Sequence, residues 1–138
     1  MKIAVMGAGG VGGYYGARLA AAGEEVAFIA RGAHLAAIRG RGLRVESESG
    51  DLHIHAARAT EDTAEVGAVD VVLFAVKLWD TEAAGAAVRP LVGPATAVIS
   101  LQNGVVAEET LADILGRAHV MGGVSVIFSS IVEPGVVR

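Results

Sequence analysis

Gly7, Gly9 and Gly12 stand at the spacing G-x-G-x-x-G within Gly7-Ala8-Gly9-Gly10-Val11-Gly12. Each position has a distinct physical use. Glycine at the first permits a tight turn, because it takes backbone angles that a Cβ forbids. At the second, the missing side chain lets a pyrophosphate approach the main chain, and at the third it lets a helix lie close on a strand. Free N–H groups in the first turn of that helix face the phosphates, and the helix dipole favours their negative charge. The candidate cofactor contacts are therefore Gly7, Ala8, Gly9, Gly10, Val11 and Gly12. The pattern alone is weak in a chain with 19 glycines. Its context strengthens it, because an apolar run, Ile3-Ala4-Val5-Met6, leads in and a helix-forming segment from Tyr14 to Ala20 follows.

Three further side chains could complete such a site. Arg31 ends the run Phe28-Ile29-Ala30-Arg31, where NAD-binding domains usually carry an acid for the ribose hydroxyls. Glu24 and Glu25 lie at the opposite end of that run. A guanidinium suits the 2′-phosphate of NADP, which it can grip with two hydrogen bonds. A unit charge pair at about 4 Å gives about 4 kcal/mol gross at an effective dielectric of ~20. A third of that is still roughly tenfold in affinity. Lys77 ends the apolar run Asp70–Val76, placed either to reach an anionic or carbonyl group in a crevice or simply where the strand emerges into water. Asn103 belongs to Asn103-Gly104, a common turn dipeptide. Its amide could equally orient a nicotinamide ribose or a substrate oxygen, since it donates and accepts at once. Trp79, two residues past Lys77, could pack beside the cofactor or cap the core, and it is assigned to the core.

The elements that position these residues are read from periodicity. Strands are expected at 3–6, 25–30, 70–76 and 97–101, with another within 119–128 and a start of one at 136–138. Helices are expected to about Ala22, over 33–39, 81–88 and 107–115. Leu43–Glu46 and Leu52–His55 each alternate apolar with polar around Ser49-Gly50-Asp51, which reads as an antiparallel hairpin with one wet face. His53 and His55 share a face of it. Without a third ligand nearby they are read as solvent-facing, and no metal is expected. Residues 60–68 read as a short helix or loop. Alternating strands and helices with short connections indicate an α/β, Rossmann-like doubly wound, mostly parallel sheet in one domain. Its crevice should lie at the carboxyl ends of the strands, where the glycine loop, Arg31, Lys77 and Asn103 fall.

Composition agrees. With 138 residues, 53% hydrophobic and only 4% aromatic, the chain can bury an aliphatic core of the kind a two-face-covered parallel sheet needs. A net charge of −4 gives no reason to expect a nucleic-acid partner. The absence of cysteine excludes disulfides, thiolate zinc and thiol nucleophiles, and suits a cytoplasmic location. The longest apolar stretch is interrupted by Asp70 and Lys77, too short for a bilayer, so no membrane partner is expected.

Four spaced motifs, Met1 to Gly13, Ala30-Arg31-Gly32, Val76-Lys77 and Leu101-Gln102-Asn103-Gly104, together resemble the ketopantoate reductase (2-dehydropantoate 2-reductase) family, as does Glu133-Pro134-Gly135-Val136-Val137. The resemblance implies that residues 1–138 form an NADP-binding Rossmann domain. The activity it implies is NADPH-dependent reduction of 2-dehydropantoate to pantoate in pantothenate biosynthesis. The glycine loop would hold pyrophosphate and Arg31 the 2′-phosphate. Lys77 and Asn103 would line the cleft near nicotinamide and substrate, as catalytic and cofactor contacts, and the main chain of 129–131 would lie against the cofactor. The family's helical second domain, with its general-acid lysine and a substrate-binding glutamate, has no counterpart here. The expectation is a truncated chain that binds cofactor without useful turnover, with apolar surface open to homo-oligomer formation. Two alternatives stand beside it: an NADP-dependent dehydrogenase of another 2-oxo or 3-hydroxy acid, and a stand-alone NADP-sensing module.

Overall fold

A computed structural model describes residues 1–104 and 106–138. Lys2–Met6 forms β1, the glycine loop follows, and Gly10–Ala21 forms α1. Glu25–Ile29 is β2 and Gly32–Arg41 is α2. Three short strands come next: β3 (Leu43–Val45), β4 (Leu52–Ile54) and β5 (Arg58–Thr60). Val69–Phe74 is β6, Thr81–Ala87 is α3, Val92–Ser100 is β7 and Ala107–Leu115 is α4. The chain continues through β8 (Val120–Gly122), β9 (Ile131–Glu133) and β10 (Val136–Val137).

Six strands pair side by side in the order β5-β2-β1-β6-β7-β8, every pair parallel. The order runs outward from β1 in one direction and from β6 in the other. The reversal therefore lies between β1 and β6, where a doubly wound sheet opens its crevice. Apolar β-branched runs supply the middle of the sheet. Val5, Phe28, Val72, Phe74 and Val98 are fully buried, each worth about 1.5–3 kcal/mol relative to exposure. Glycine spacing on α1 allows the helix to sit directly on this sheet. A Cβ on Gly16 would press on Phe28 Cε1 at 2.6 Å and Val5 Cγ2 at 2.9 Å.

The expected hairpin is present, Leu43 opposite Ile54 and Val45 opposite Leu52. It does not extend the main sheet. It builds a second sheet, β4-β3-β10-β9, in which β10 pairs parallel with β3. Val136 and Val137 are buried there, and a Cβ on Gly13 of α1 would meet Val137 Cγ2 at 2.9 Å. Arg18 ties the hairpin to α1, its Nη2 donating to the Gly50 carbonyl at 2.7 Å while the guanidinium lies over the Tyr14 ring. Hydrogen bonding to Arg18, then to Ser47, holds the Tyr14 phenol below the usual tyrosine range.

Three expectations need correction. The strand read as 70–76 ends at Phe74; Ala75 still donates to the Met6 carbonyl at 2.9 Å, and beyond it the Val76 carbonyl accepts from the Gln102 side chain. β5 was hidden within polar residues; it is an edge strand held against β2, with Thr60 buried. The strand expected within 119–128 is present as β8, and Ile131–Glu133 adds β9. Trp79, assigned to the core, is 81% exposed. It sits on a single 3₁₀ turn, Leu78–Asp80, that projects from the end of β6 and has no facing layer to enter.

Candidate cofactor site

The glycine loop turns on Gly7, whose φ of +93° is the left-handed region that favours glycine. Space forces the choice as well, because a Cβ there would lie 2.9 Å from Val76 Cγ1. Gly7 and Ala8 both donate their N–H groups to the Ile29 carbonyl, at 3.2 and 3.1 Å. These two amides are thus spent on joining β1 to β2. Helical bonding resumes with Gly13 donating to the Gly9 carbonyl at 2.7 Å. Between them, the N–H groups of Gly9, Gly10, Val11 and Gly12 have no partner among the described residues. They are the orphan donors of a helix start, where the macrodipole is positive.

The other glycines divide by what surrounds them. A Cβ on Gly9 would meet nothing within 4 Å, so its face is open. A Cβ on Gly12 would collide with the Gly7 carbonyl and press on Val5 Cγ1 at 2.9 Å, which is the close helix–strand approach expected of the third glycine. Gly10 has a use that the motif did not reveal. Its missing Cβ makes room for the Ser129 main chain, and Ser129 Oγ donates to the Gly10 carbonyl at 3.0 Å. The segment at Ser129 therefore crosses the beginning of α1.

Two polar side chains that sequence reasoning passed over hold this architecture. His34, on α2, faces the Ala8 carbonyl with Nε2 at 2.7 Å and the Gly135 amide with Nδ1 at 3.0 Å. An N–H can only donate, so Nδ1 accepts and Nε2 carries the proton to Ala8. One imidazole thereby links the glycine loop to the turn between β9 and β10. Gln102 is buried at the end of β7; its Nε2 donates to the Val76 carbonyl at 3.0 Å and to Thr81 Oγ1 at 2.9 Å. The signal for Gln102 was its place one residue past the strand expected at 97–101. His34 had none, because its partners are 26 and 101 positions away.

Arg31 follows β2, two residues past the carbonyl that anchors Gly7 and Ala8, and its side chain is 80% exposed. Glu24 and Glu25 lie at the other end of β2, engaged with the Met1 ammonium and Arg58. The Glu24 carboxylate holds that ammonium above its ordinary pKa, mainly through their hydrogen bond. Lys77 and Asn103 are both exposed and follow adjacent strand ends. Each comes directly after a partner in the Gln102–Val76 hydrogen bond, which ties the two loops together. All four marked positions thus fall at the carboxyl ends of β1, β2, β6 and β7. His53 and His55 lie elsewhere, exposed, with stacked rings 3.7 Å apart. Among the described residues, no three His, Cys, Asp or Glu side chains are grouped as a metal would need. A surface concavity of about 410 Å³ on the β3–β4 hairpin, lined by Arg44, Glu46, Asp51 and His53, contains none of the marked positions. No helix among the described residues is long and apolar enough to cross a membrane.

A parallel sheet in this order, with a glycine loop and orphan helix amides at the strand reversal, defines a Rossmann domain of the dinucleotide-binding kind. Comparison with known proteins narrows the class. The model of the family described as ketopantoate reductase PanE/ApbA matches residues 3–138, and the chain belongs to that family. It is 35% identical to the 2-dehydropantoate 2-reductase of Nostoc sp. over 99% of its length, covering 43% of that protein. With the same enzyme of Pyrococcus horikoshii the identity is 38%, covering 100% of this chain and 44% of the relative. The crystal structure of a PanE/ApbA family ketopantoate reductase from Ralstonia eutropha JMP134 superposes with a TM-score of 0.93 at 43% identity, over 100% of this chain and 46% of that one. The 2-dehydropantoate 2-reductase of Geobacter metallireducens GS-15 gives 0.94 at 39% identity, over 99% and 45%. The chain therefore spans less than half the length of these relatives.

Proposed function

We propose that this domain is the cofactor-holding half of an NADPH-dependent 2-dehydropantoate 2-reductase, acting in the cytoplasm on a small 2-oxo acid. The observation that carries the reading is the set of four unpartnered amides, Gly9 to Gly12, at the start of α1, with the exposed Arg31 at the carboxyl end of the neighbouring strand β2. Membership of the family supplies the reaction, and the amides and guanidinium supply a reason for the cofactor. When bound, a reduced nicotinamide supplies the hydride for the ketone carbon.

The residues have separate tasks in this reading. Gly9 to Gly12 donate to the pyrophosphate, and the open face of Gly9 admits it. Gly7 and Ala8 shape the loop and do not donate to the ligand, because the Ile29 carbonyl already holds their N–H groups. Arg31 meets the 2′-phosphate. Lys77 places a positive charge toward the 2-oxo acid carboxylate or its developing alkoxide, and Asn103 orients the ribose or substrate oxygen. The alkoxide needs a proton donor and a closed, dry cleft. In the longer relatives' architecture that half of the cleft would come from further chain, so these 138 residues alone should bind cofactor without useful turnover.

The test is a calorimetric titration of wild type and Arg31→Ala with NADPH and NADH. The expected result is tighter binding of NADPH by wild type. Arg31→Ala should cost roughly tenfold for NADPH and leave NADH nearly unchanged. Failure of both nucleotides to bind wild type, or equal loss for both in the variant, would overturn the assignment.

A further inference from the structure

Arg31 already has a negative partner. Its Nη2 donates to Asp80 Oδ2 at 3.1 Å. Asp80 closes the 3₁₀ turn Leu78–Asp80 beyond β6, whereas Arg31 follows β2. β2 and β6 flank β1 on opposite sides, so the pair spans the carboxyl end of the strand that carries the glycine loop. An ordinary duty for Asp80 would be to cap α3, since it occupies the N-cap position. Its side chain makes no cap hydrogen bond and is committed to Arg31 instead. The pair contributes little stability, because Arg31 is 80% and the Asp80 side chain 31% exposed. What it fixes is the direction of the guanidinium and the sign of the charge beside it.

We propose that Asp80 is a specificity-setting residue that restrains the pocket's preference for a 2′-phosphorylated cofactor. The proposal rests on the reading of Arg31 as the phosphate's partner. A 2′-phosphate approaching Arg31 must displace the carboxylate or share the guanidinium with it, at the cost of like-charge repulsion. A ribose with a free 2′-hydroxyl meets no such penalty, because a carboxylate accepts a hydrogen bond from a hydroxyl. This is the role that the acid after the second strand has in NAD-binding domains. Here the acid comes from the other side of β1, from the end of β6. One pocket thus carries the phosphate-selecting arginine and a ribose-compatible acid face to face, and Asp80 moves the balance toward tolerance of both cofactors.

The test compares wild type, Asp80→Asn and Arg31→Ala by titration with NADPH and with NADH, at low and high salt, with melting temperature as a control. The reading is the ratio of the two dissociation constants, NADH over NADPH, in which any general loss of folded protein cancels. Asp80→Asn should raise that ratio roughly fivefold, the scale of one exposed charge interaction, and the gain should shrink at high salt. An unchanged or lowered ratio in Asp80→Asn, in a protein that melts like wild type, overturns the proposal. Arg31→Ala reports separately on the premise, and a ratio it fails to lower would sink the phosphate reading whatever Asp80 does.

Discussion

Around the glycine loop, protein atoms occupy the places where side chains are missing; along residues 124–128, every other side chain stands with nothing over it. Gly7, Gly10, Gly12, Gly13 and Gly16 each lack a Cβ that would meet a neighbouring strand, loop or helix. In the second region Val124, Val126 and Phe128 are 93%, 87% and 106% exposed. Ser125, between the first two, and Ser129, just past Phe128, turn inward to the Tyr15 hydroxyl and the Gly10 carbonyl. The alternation is that of a strand with one face on the molecule, yet only its ends pair, Gly123 with Ser100 and Ser130 with Arg138. Both regions are rich in small and apolar residues. What separates them is whether a second layer is present to accept the apolar face, which local pattern does not record.

The contrast can be broken most severely at Gly12. Gly12→Ala should destabilise the domain by about 1–3 kcal/mol, as overpacking against backbone does, while Gly9→Ala should melt like wild type. The second substitution should nonetheless weaken NADPH binding, because its methyl enters the open face. Differential scanning fluorimetry beside titration separates the two, and equal melting points for both variants would remove the distinction between a packed and an open glycine. A smaller effect is expected at His34. Its replacement by Ala leaves the Ala8 carbonyl and the Gly135 amide without their partner, at about 1–3 kcal/mol, the lower end being expected for a half-buried site. Urea unfolding measures it, and hydrogen exchange at Gly135 should accelerate with it. The smallest change in stability is expected on the bare strip. Phe128→Ser should alter unfolding by no more than about 0.5 kcal/mol, because nothing packs on the ring. A large loss of stability there would mean that the strip is buried after all.

Much of the fold could be read from pattern. α4 was bounded correctly because Leu111, Ile114 and Leu115 keep helical spacing and Gly116 stops it. β1, β2 and β7 were located because each is an apolar run next to a glycine or a polar stop. β5 could not be read, since Arg58-Ala59-Thr60 is too short and polar to signal a strand and pairs only because β2 offers an edge. Trp79 was misplaced because a large aromatic beside a buried strand usually goes inward, and only the direction of the 3₁₀ turn sends it out. In the candidate site, all four marked positions reached the same edge of the sheet. His34, Gln102 and Asp80 were missed because their partners are distant in sequence.

By itself, then, the order of residues determined the βαβ start, the glycine spacing and the placing of Arg31, Lys77 and Asn103 at strand ends, because backbone period and turn chemistry are local. Only the tertiary structure decided which amides stay unpartnered, that β10 returns to pair with β3, and that Asp80 meets Arg31 across β1. Those outcomes depend on which strands become neighbours. Neighbourhood is settled by the burial of whole faces, and no stretch of a dozen residues contains that information.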